Sequence, residues 1–506
     1  MSNSGDLTLG RWVAERARLT PDKVALDDRG VALSYGALSL RIDRFTAALR
    51  QAGHAPGDRI ATLTGNSADQ VALFFACAEL GLGLVPLSWR LTPRELTEQL
   101  RIADPVLAVS EPEHGQTMAS ALAGLEDPAP HIDFAEFDAA LPLRDHRTTA
   151  RAARRASDDD PLLILFTAGS TGRPKAVVLT QGNCHWTNLT FGRAVPLTSD
   201  DVVLTVLPQF HAGGWNIQLL LALWVGATVV LERTFDPRRA LHLIEHRRVT
   251  TMMGVPTHYL MMAEQRRFAE ADLSSLRLLV VGGAPMPLPL LRTWHARGVR
   301  LTQGYGLTEA GPNVLCLPAE LAVEKAGSAG VPYPHVTCAI ADPVTGVIVE
   351  GEATGELLVR GPSVFAGYLG DPDATAHALR GGWLHTGDLV RRDAEGHHWV
   401  LDRIDDIYIT AGENVSPVEV EQVLLRHPGV ARAAVVGVPD ARRGEVGAAF
   451  VVRRGGVAVD EQSLLEHCRE HLAAYKVPAR IHFTDALPSA SLEKVRRSAL
   501  REEALR

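Results

Sequence analysis

A loop rich in glycine and hydroxyl residues, set between two apolar segments, constrains the fold of this 506-residue chain most strongly. Residues 161–180 read PLLILFTAGSTGRPKAVVLT, where a strand-like apolar run leads into a loop that ends at Lys175. The hydroxyl and glycine residues of this loop are Thr167, Gly169, Ser170, Thr171 and Gly172. Glycine amides and hydroxyls can contact phosphoryl oxygens without obstruction, and a lysine supplies the charge that a desolvated phosphate requires. The segment predicts a phosphate-binding loop. It lacks the Walker A spacing, and a surface turn of similar composition is the alternative.

Composition and charge argue against several classes of protein, including membrane-spanning, disulfide-rich and nucleic-acid-binding ones. The chain is 46% hydrophobic and 22% charged, and its length exceeds the roughly 150 residues of one domain. It contains no apolar run of about 18 residues and does not begin like a signal peptide, so we expect a cytoplasmic enzyme without a membrane span. The five cysteines form no C-x-x-C pair, which argues against a zinc site or a disulfide framework. A net charge of −8 argues against nucleic acid as the main partner.

Strand-like and helical patterns alternate along the chain. Leu278–Val281 and residues 227–231 have the apolar runs of buried strands, whereas Pro237–His246 has helical periodicity. This alternation predicts an α/β fold. Residues 401–425, LDRIDDIYITAGENVSPVEVEQVLL, pass from an acidic turn through a glycine-containing loop to a helix that begins near Ser416 and Pro417. We therefore expect a linker at residues 401–410.

Five motifs, in order over nearly all of the chain, carry a resemblance to a known family. GSTGRPK resembles the phosphate-binding loop of the adenylate-forming superfamily of acyl-CoA synthetases, adenylation domains and luciferases. QGYGLTE at residues 303–309 resembles its Y-G-x-T-E motif, and GWLHTGD at residues 382–388 resembles its W-x-x-T-G-D motif. Arg403 lies in a hinge-like D-R-I-D segment, and Lys494 lies in LPSASLEKVRR, which is similar to the family's catalytic-lysine segment.

The resemblance implies a fold of two domains. Residues 1–402 are expected to form a large N-terminal domain of two β/α subdomains and a distorted β-barrel that binds ATP and the acyl group. Residues 403–410 are expected to be a hinge with its pivot at Asp405. Residues 411–506 are expected to form a small mobile α+β domain that carries the catalytic-type lysine.

The resemblance also implies a reaction in two steps. A carboxylic acid and ATP give an acyl-adenylate and pyrophosphate, and a thiol then attacks the adenylate and releases AMP. The implied cofactors are ATP/AMP, Mg²⁺ and coenzyme A, and the partners are a small-molecule carboxylic acid (or its adenylate) and CoA. We expect a monomer or a homodimer.

The family's catalytic and nucleotide-binding residues map onto this sequence. Lys494 would bridge the carboxylate and the α-phosphate, Glu309 would hold Mg²⁺, and Asp388 would accept hydrogen bonds from ribose. The implied catalytic residues are Lys494, His211, Thr167 and Glu309. The implied nucleotide-binding residues are Thr167, Ser170, Thr171, Gly172, Lys175, Gly283, Ala284, Pro285, Gly304, Tyr305, Gly306, Thr308, Asp388 and Arg403.

The acyl and thiol sites are implied by weaker similarity. The implied acyl-pocket residues are His211, Gly213, Trp215, Val255, Pro256, Gly283 and Gly304. No acid stands at position 211 to pair with a substrate ammonium, so an α-amino acid is not the expected substrate. The implied CoA-binding residues are Arg90, Gly412, Glu413, Tyr475 and Lys476. The arm of a carrier protein is the alternative thiol.

Two departures from the family pattern concern the ATP step. Ala176 and Glu493 stand where the family has glycines. If position 176 requires a glycine conformation or a close approach of phosphate, alanine adds strain of about 1 kcal/mol. A carboxylate beside Lys494 could pair with the lysine and repel triphosphate. Besides a complete acyl-CoA ligase, the sequence leaves two alternatives: a relative that only thioesterifies a supplied acyl-adenylate, and an enzyme that loads a carrier protein.

Overall fold

Strands and helices alternate along the chain as the sequence predicts. The computed structural model describes residues 8–139, 156–168, 174–410, 413–440, 443–488 and 495–505. The helices of these residues are α1 (Trp12–Leu19), α2 (Tyr35–Gln51), α3 (Ala68–Leu80), α4 (Pro93–Ala103), α5 (Gly115–Leu122), α6 (Phe134–Ala139), α7 (Gln181–Ala194), α8 (Ala212–Asn216), α9 (Leu219–Val225), α10 (Pro237–His246), α11 (Pro256–Ala263), α12 (Leu288–Ala296), α13 (Pro372–Ala378), α14 (Pro417–Arg426), α15 (Glu461–His471) and α16 (Arg497–Ala504).

The strands follow the apolar runs. They are β1 (Val24–Asp28), β2 (Val31–Ser34), β3 (Arg59–Leu63), β4 (Gly83–Leu87), β5 (Leu107–Ser110), β6 (His131–Asp133), β7 (Pro161–Ala168), β8 (Pro174–Thr180), β9 (Val202–Thr205), β10 (Thr228–Leu231), β11 (Thr251–Gly254), β12 (Leu278–Val281), β13 (Leu301–Tyr305), β14 (Leu315–Leu317), β15 (Val331–Pro332), β16 (Thr337–Ala341), β17 (Ile348–Val349), β18 (Ala353–Arg360), β19 (Gly367–Tyr368), β20 (Leu384–Arg392), β21 (His398–Arg403), β22 (Tyr408–Thr410), β23 (Glu413–Val415), β24 (Val430–Asp440), β25 (Gly444–Arg453) and β26 (Arg480–Phe483). The predicted helix Pro237–His246 and strand Leu278–Val281 have these bounds.

Two large sheets form the framework of the first compact unit, Met1–Cys338 with Val359–Leu384. In the described part of the chain, one sheet has seven strands in the order β19-β8-β7-β4-β3-β5-β6, and the other has nine in the order β15-β14-β13-β12-β11-β9-β10-β1-β2. The central strands are apolar because helices cover both faces of such sheets. In β7, for example, Leu162 to Leu165 are at most 1% exposed.

The second compact unit comprises Ala339–Leu358 and His385–Arg506. Its described strands form one sheet in the order β17-β16-β18-β20-β21 and another in which β23-β22-β25-β24 are joined by β26. The α/β class with a large N-terminal and a small C-terminal part is confirmed. The division between the units differs from the predicted boundary at 402/403, since residues 385–402 belong to the second unit. The hinge at 403–410 stays a prediction, and Asp405 lies in the short 3-10 turn Ile404–Asp406.

A buried carboxylate beside the predicted hinge holds the start of α14. Asp402 is 4% exposed and accepts hydrogen bonds from Ser416 Oγ at 2.5 Å and from the backbone N–H of Val418 at 3.2 Å. Ser416 is also the N-cap of α14, as the sequence predicts. Burial raises the pKa of Asp402, although these hydrogen bonds oppose the rise. The contact ties the end of β21 to α14 within the second unit.

Candidate active site

A β-hairpin carries the two ends of the predicted phosphate loop. In the antiparallel pair β7–β8, Thr167 lies opposite Lys175. Residues 169–173 of the loop, which include Ser170, Thr171 and Gly172, lie outside the described residues. Lys175 Nζ lies 4.9 Å from the centroid of the Tyr368 ring, a cation–π distance. The hairpin therefore holds a hydroxyl and an ammonium group side by side at the mouth of the loop.

Tyr368 connects the lysine to the predicted metal ligand. Its hydroxyl donates a hydrogen bond to Glu309 Oε1 at 3.0 Å. Glu309 lies in the 3-10 turn Thr308–Ala310, and its backbone carbonyl accepts from the N–H of Phe365 at 2.9 Å. A half-buried carboxylate fixed in this way suits Mg²⁺, which prefers hard oxygen ligands and retains most of its waters. Tyr368 was missed by the sequence analysis, because only the pairing of β19 with β8 brings it to this place.

We expect Tyr368→Phe to raise the KM for MgATP about three- to tenfold, since one hydrogen bond contributes about 0.5 to 1.5 kcal/mol. The phenol orients Glu309 without replacing it, so kcat with saturating MgATP should fall less. Initial rates at varied MgATP measure the effect. Tyr35→Phe removes another buried hydroxyl of the same unit, which donates to Ala227 O at 2.7 Å, and should leave this KM unchanged. Equal shifts in both variants would contradict the role of Tyr368.

The glycine-rich segments after β12 and in β13 lie together. Gly283 has φ +78°, which favours glycine, and Ala284 and Pro285 beside it are exposed. A Cβ at Gly283 would lie 3.4 Å from Val255 Cγ1, so two predicted pocket residues meet. Gln303, which the sequence analysis missed, accepts from Met286 N–H at 2.9 Å and donates to Ser328 O at 3.1 Å. Its amide fixes the loop at the end of β12.

The two glycines of the Y-G-x-T-E segment, Gly304 and Gly306, are present for different structural reasons. A Cβ at Gly306 would lie 1.5 Å from Pro312 O, so backbone packing requires glycine there. A Cβ at Gly304 would meet only ordinary contacts, 3.5 Å to the Tyr333 hydroxyl and 3.9 Å to Val281 O. Tyr305, next to both, is half-buried, as are Thr308 and Glu309. Neither packing nor backbone conformation explains the missing side chain at Gly304.

Of the predicted acyl-pocket residues in the segment 210–216, some are accessible and one is buried in the core. His211 immediately precedes α8, and its ring lies 4.6 Å from that of Phe210. Gly213 is half-buried in the same helix. Trp215 is fully buried, donates from Nε1 to Gln209 O at 2.5 Å and stacks on Phe74 at 4.7 Å. The prediction that Trp215 lines the pocket is therefore corrected, because its indole belongs to the core. Pro256 is the first residue of α11 and follows Val255.

The predicted ribose ligand lies in the second unit. Asp388 and Arg403 are opposite each other on β20 and β21, with Arg403 Nη1 at 3.1 Å from Asp388 Oδ1. Gly387 adopts φ +68°, and Thr386 Oγ1 accepts from Asp388 N–H while donating to Leu357 O. The side chain of Asp388 is 10% exposed and that of Arg403 is 49% exposed. This pair presents a carboxylate held in one orientation.

The carboxylate of Glu356 supports the W-x-x-T-G-D segment that contains Asp388. Glu356 Oε2 lies 2.8 Å from His385 Nδ1, and Glu356 Oε1 accepts from the N–H of Gly387 at 3.1 Å. No motif marks Glu356, because its partners lie about thirty residues away in sequence. It holds the turn that precedes Asp388.

The predicted CoA contacts are distributed over both units. Arg90 is exposed, and its guanidinium lies 5.2 Å from the Trp89 ring and 5.8 Å from the Phe210 ring. Lys476 forms an ion pair with Glu419 at 2.7 Å, and its Nζ lies 5.8 Å from the Tyr475 ring. Gly412 and the side chain of Glu413 lie outside the described residues. These five assignments remain predictions.

The expected strain at Ala176 is absent. Ala176 lies inside β8 and is 1% exposed. Among the described residues, positive φ at non-glycine positions occurs at Arg29, Asp104, Arg248 and His335. Because Ala176 has an ordinary strand conformation and its methyl group is buried in an apolar cluster, the prediction of a strained alanine is wrong. Glu493 and Lys494 lie outside the described residues, so the second departure stays a sequence argument.

Ala176→Gly is expected to lower the free energy of unfolding by about 1 kcal/mol, because it removes a buried methyl group and loosens a strand. It should not accelerate adenylate formation. Denaturant unfolding and ATP–pyrophosphate exchange measure the two quantities. A tenfold faster exchange would restore the idea of a disabled first half-reaction.

Comparison with known proteins agrees with this arrangement. The family described as AMP-binding enzyme matches residues 13–369, and the AMP-binding enzyme C-terminal domain matches residues 419–494. The chain is 42% identical over 504 residues to a feruloyl-CoA synthase of an Amycolatopsis species, with 99% of both covered. It is 37% identical over 506 residues to the indoleacetate–CoA ligase of Aromatoleum aromaticum, with 98% of both covered. The solved O-succinylbenzoate coenzyme A synthetase of Bacillus subtilis, in complex with ATP and a magnesium ion, is 31% identical with a TM-score of 0.86, over 98% of this chain and 99% of that one.

These findings identify the reaction. Within the described residues, no helix combines the length and apolar character needed to cross a membrane. ATP, Mg²⁺ and CoA take part, and a carboxylic acid that is not an amino acid is activated as its acyl-adenylate. The chain belongs to the adenylate-forming family of AMP-binding enzymes and is an AMP-forming acyl-CoA ligase.

Proposed function

We propose that this ligase activates an aromatic carboxylic acid and transfers the acyl group to free CoA. The three similar proteins named above are described as acting with ferulate, indoleacetate and O-succinylbenzoate, and each of these acids carries an aromatic ring. A carrier-protein thiol is the alternative acceptor. A monomer or homodimer in the cytoplasm stays our expectation.

Gly304 is the observation that supports an aromatic, and therefore planar, acyl group. It is half-buried, its φ is not positive, and a methyl group would fit among its neighbours. A glycine costs about 0.5 to 1 kcal/mol relative to alanine inside a strand, so its presence requires another reason. Space for a substrate ring against the backbone of β13 supplies that reason, with Val255 and Gly283 as a second wall.

The roles of the other residues follow from their chemistry. Thr167 and Lys175 would contact the phosphates, and Glu309, oriented by Tyr368, would hold Mg²⁺, which neutralises phosphate charge during adenylation. Asp388 would accept hydrogen bonds from the ribose hydroxyls, with Arg403 fixing its orientation. His211 would lie at the carboxylate end of the acyl group. Lys494 would stabilise charge between carboxylate and α-phosphate in the first step.

The absence of strain at Ala176 removes one of the two reasons to expect an impaired first step. Adenylation and thioesterification should therefore both proceed on this chain. The alternative of a thioesterification-only enzyme now rests on Glu493 alone.

A panel of acids tests the proposal. Ferulate, indole-3-acetate, 2-succinylbenzoate and octanoate are each incubated with MgATP, first with CoA and then with a phosphopantetheinylated carrier protein. We expect thioester with CoA, detected by mass, and a kcat/KM for at least one aromatic acid at least about tenfold above that for octanoate, which a difference of 1.4 kcal/mol produces. Preference for octanoate would overturn the aromatic assignment. Thioester formed on the carrier protein but not on CoA would overturn the acceptor.

A further inference from the structure

The last turn of α15 brings together two imidazoles and a carboxylate. His467, Glu470 and His471 have the spacing i, i+3 and i+4, which places them on one face of a helix. One ligand atom from each lies within 4.8 Å of the others. His467 is half-buried, and Glu470 and His471 are exposed, so an ion in solution can reach the group.

The hydrogen bonds of the two histidines leave one lone pair on each ring. His467 Nε2 lies 3.1 Å from Val423 O, and His471 Nδ1 lies 2.8 Å from His467 O. A carbonyl only accepts, so these two nitrogens carry the protons. In neutral imidazole, Nδ1 of His467 and Nε2 of His471 are then the unprotonated atoms. Histidines that bind metals commonly donate their other nitrogen to a carbonyl or carboxylate, and both rings do so here.

Two other groups of described residues also have possible ligand atoms within 4.8 Å of one another, and each contains a single histidine. In the group with Glu111 and Glu113, both carboxylates already bind the guanidinium of Arg233. In the group with Asp393, that carboxylate accepts the backbone N–H of Glu395 and of His397 and closes a turn. The α15 group is therefore distinguished by two oriented imidazoles.

We propose that His467, Glu470 and His471 bind a borderline divalent transition ion of the Zn²⁺ type. Imidazole nitrogen suits Zn²⁺, Ni²⁺ and Cu²⁺, whereas Mg²⁺ and Ca²⁺ prefer oxygen, so this site is distinct in chemistry from the magnesium of the ligase reaction. Three protein ligands leave one position for water. The ring of His427 lies 5.3 Å from that of His467, but His427 is not a ligand. Its Nδ1 accepts a hydrogen bond from Gly429 N–H, so in the neutral ring Nε2 carries the proton and neither nitrogen has a lone pair available for a metal ion.

The ion would stabilise the C-terminal end of α15. A positive charge is favourable at a helix C-terminus, where the unpaired carbonyls concentrate negative potential. His467 also bonds to Val423 O in the last turn of α14, so the ion would reinforce the contact between the two helices. The expected role is therefore structural.

Zn²⁺ titration by calorimetry tests the site in the full-length, nucleotide-free protein after removal of any histidine tag. We expect His471→Asn and Glu470→Gln each to weaken binding of one Zn²⁺ at least about tenfold, as loss of a ligand or its support does at other metal sites. Glu466→Gln is the matched control, since Glu466 lies on the same helix and accepts only from Gln462 Nε2 among the described contacts. It should leave the affinity unchanged.

Hydrogen exchange separates a specific site from general zinc binding. Added Zn²⁺ should slow exchange of amides in residues 465–472 of the parent protein and of Glu466→Gln, and should not slow it in His471→Asn. Unchanged zinc stoichiometry and affinity in His471→Asn, with the fold intact by circular dichroism, would overturn the proposal. Failure of the parent protein to bind Zn²⁺ would overturn it as well.

Discussion

Asp388→Asn is expected to weaken AMP binding about tenfold to a hundredfold, because a hydrogen bond to a charged group contributes about 1.5 to 3 kcal/mol. The amide keeps the shape of the carboxylate and its place opposite Arg403 on β20 and β21. It loses the negative charge that makes the bond to a ribose hydroxyl strong. Calorimetric titration with AMP measures the change directly.

Asp201→Asn is the matched control for this prediction. Asp201 is also a buried aspartate paired with a half-exposed arginine, Arg277, at 3.1 Å. It additionally accepts from Thr250 Oγ1 and from Thr198 N–H, and these partners together hold the pKa of its carboxyl below the usual value against the opposing effect of burial. Its replacement should lower the free energy of unfolding and leave AMP affinity unchanged. If Asp388→Asn binds AMP like the parent protein, Asp388 does not contact the nucleotide.

Local sequence determined the elements that were predicted well. Leu278–Val281 is apolar throughout and becomes β12, and Pro237–His246 has an N-cap at Asp236 and becomes α10. Such segments depend on neighbours within a few residues, so their patterns are visible in the chain itself. The order of the motifs likewise indicated the family, since each motif is short and contiguous.

Residues that act through distant partners were missed. Tyr368 lies 59 positions from Glu309, and Gln303 lies 25 positions from Ser328, so neither hydrogen bond has a signature in local sequence. Trp215 was assigned to the pocket because its neighbours match a motif, yet its indole packs on Phe74, far earlier in the chain. The assumed strain at Ala176 failed for a similar reason, because backbone conformation depends on strand pairing and not on residue type.

A pair of glycine substitutions tests the acyl site most sharply. Gly304→Ala should leave the free energy of unfolding unchanged or raise it by up to about 1 kcal/mol, since alanine is favoured over glycine in a strand. The new methyl group meets atoms at 3.5 Å or more. If the space belongs to the substrate ring, kcat/KM for the aromatic acid should fall at least about tenfold, because overpacking typically costs 1 to 3 kcal/mol.

Gly306→Ala, two residues later on the same chain segment, should give the opposite pattern. Its Cβ would overlap Pro312 O at 1.5 Å, so the segment must shift and the protein should unfold at markedly lower denaturant concentration or fail to fold. Denaturant unfolding, AMP affinity and kcat/KM for the acid, measured on both variants, separate the two effects. The sequence also implies a nucleotide contact for Gly304, and AMP affinity separates the two roles: affinity near that of the parent places the methyl group in the acyl space, whereas a parallel loss of AMP affinity places it against the nucleotide. An unchanged kcat/KM in a stable Gly304→Ala protein would place the acyl group elsewhere and leave the glycine of β13 without a role in substrate binding.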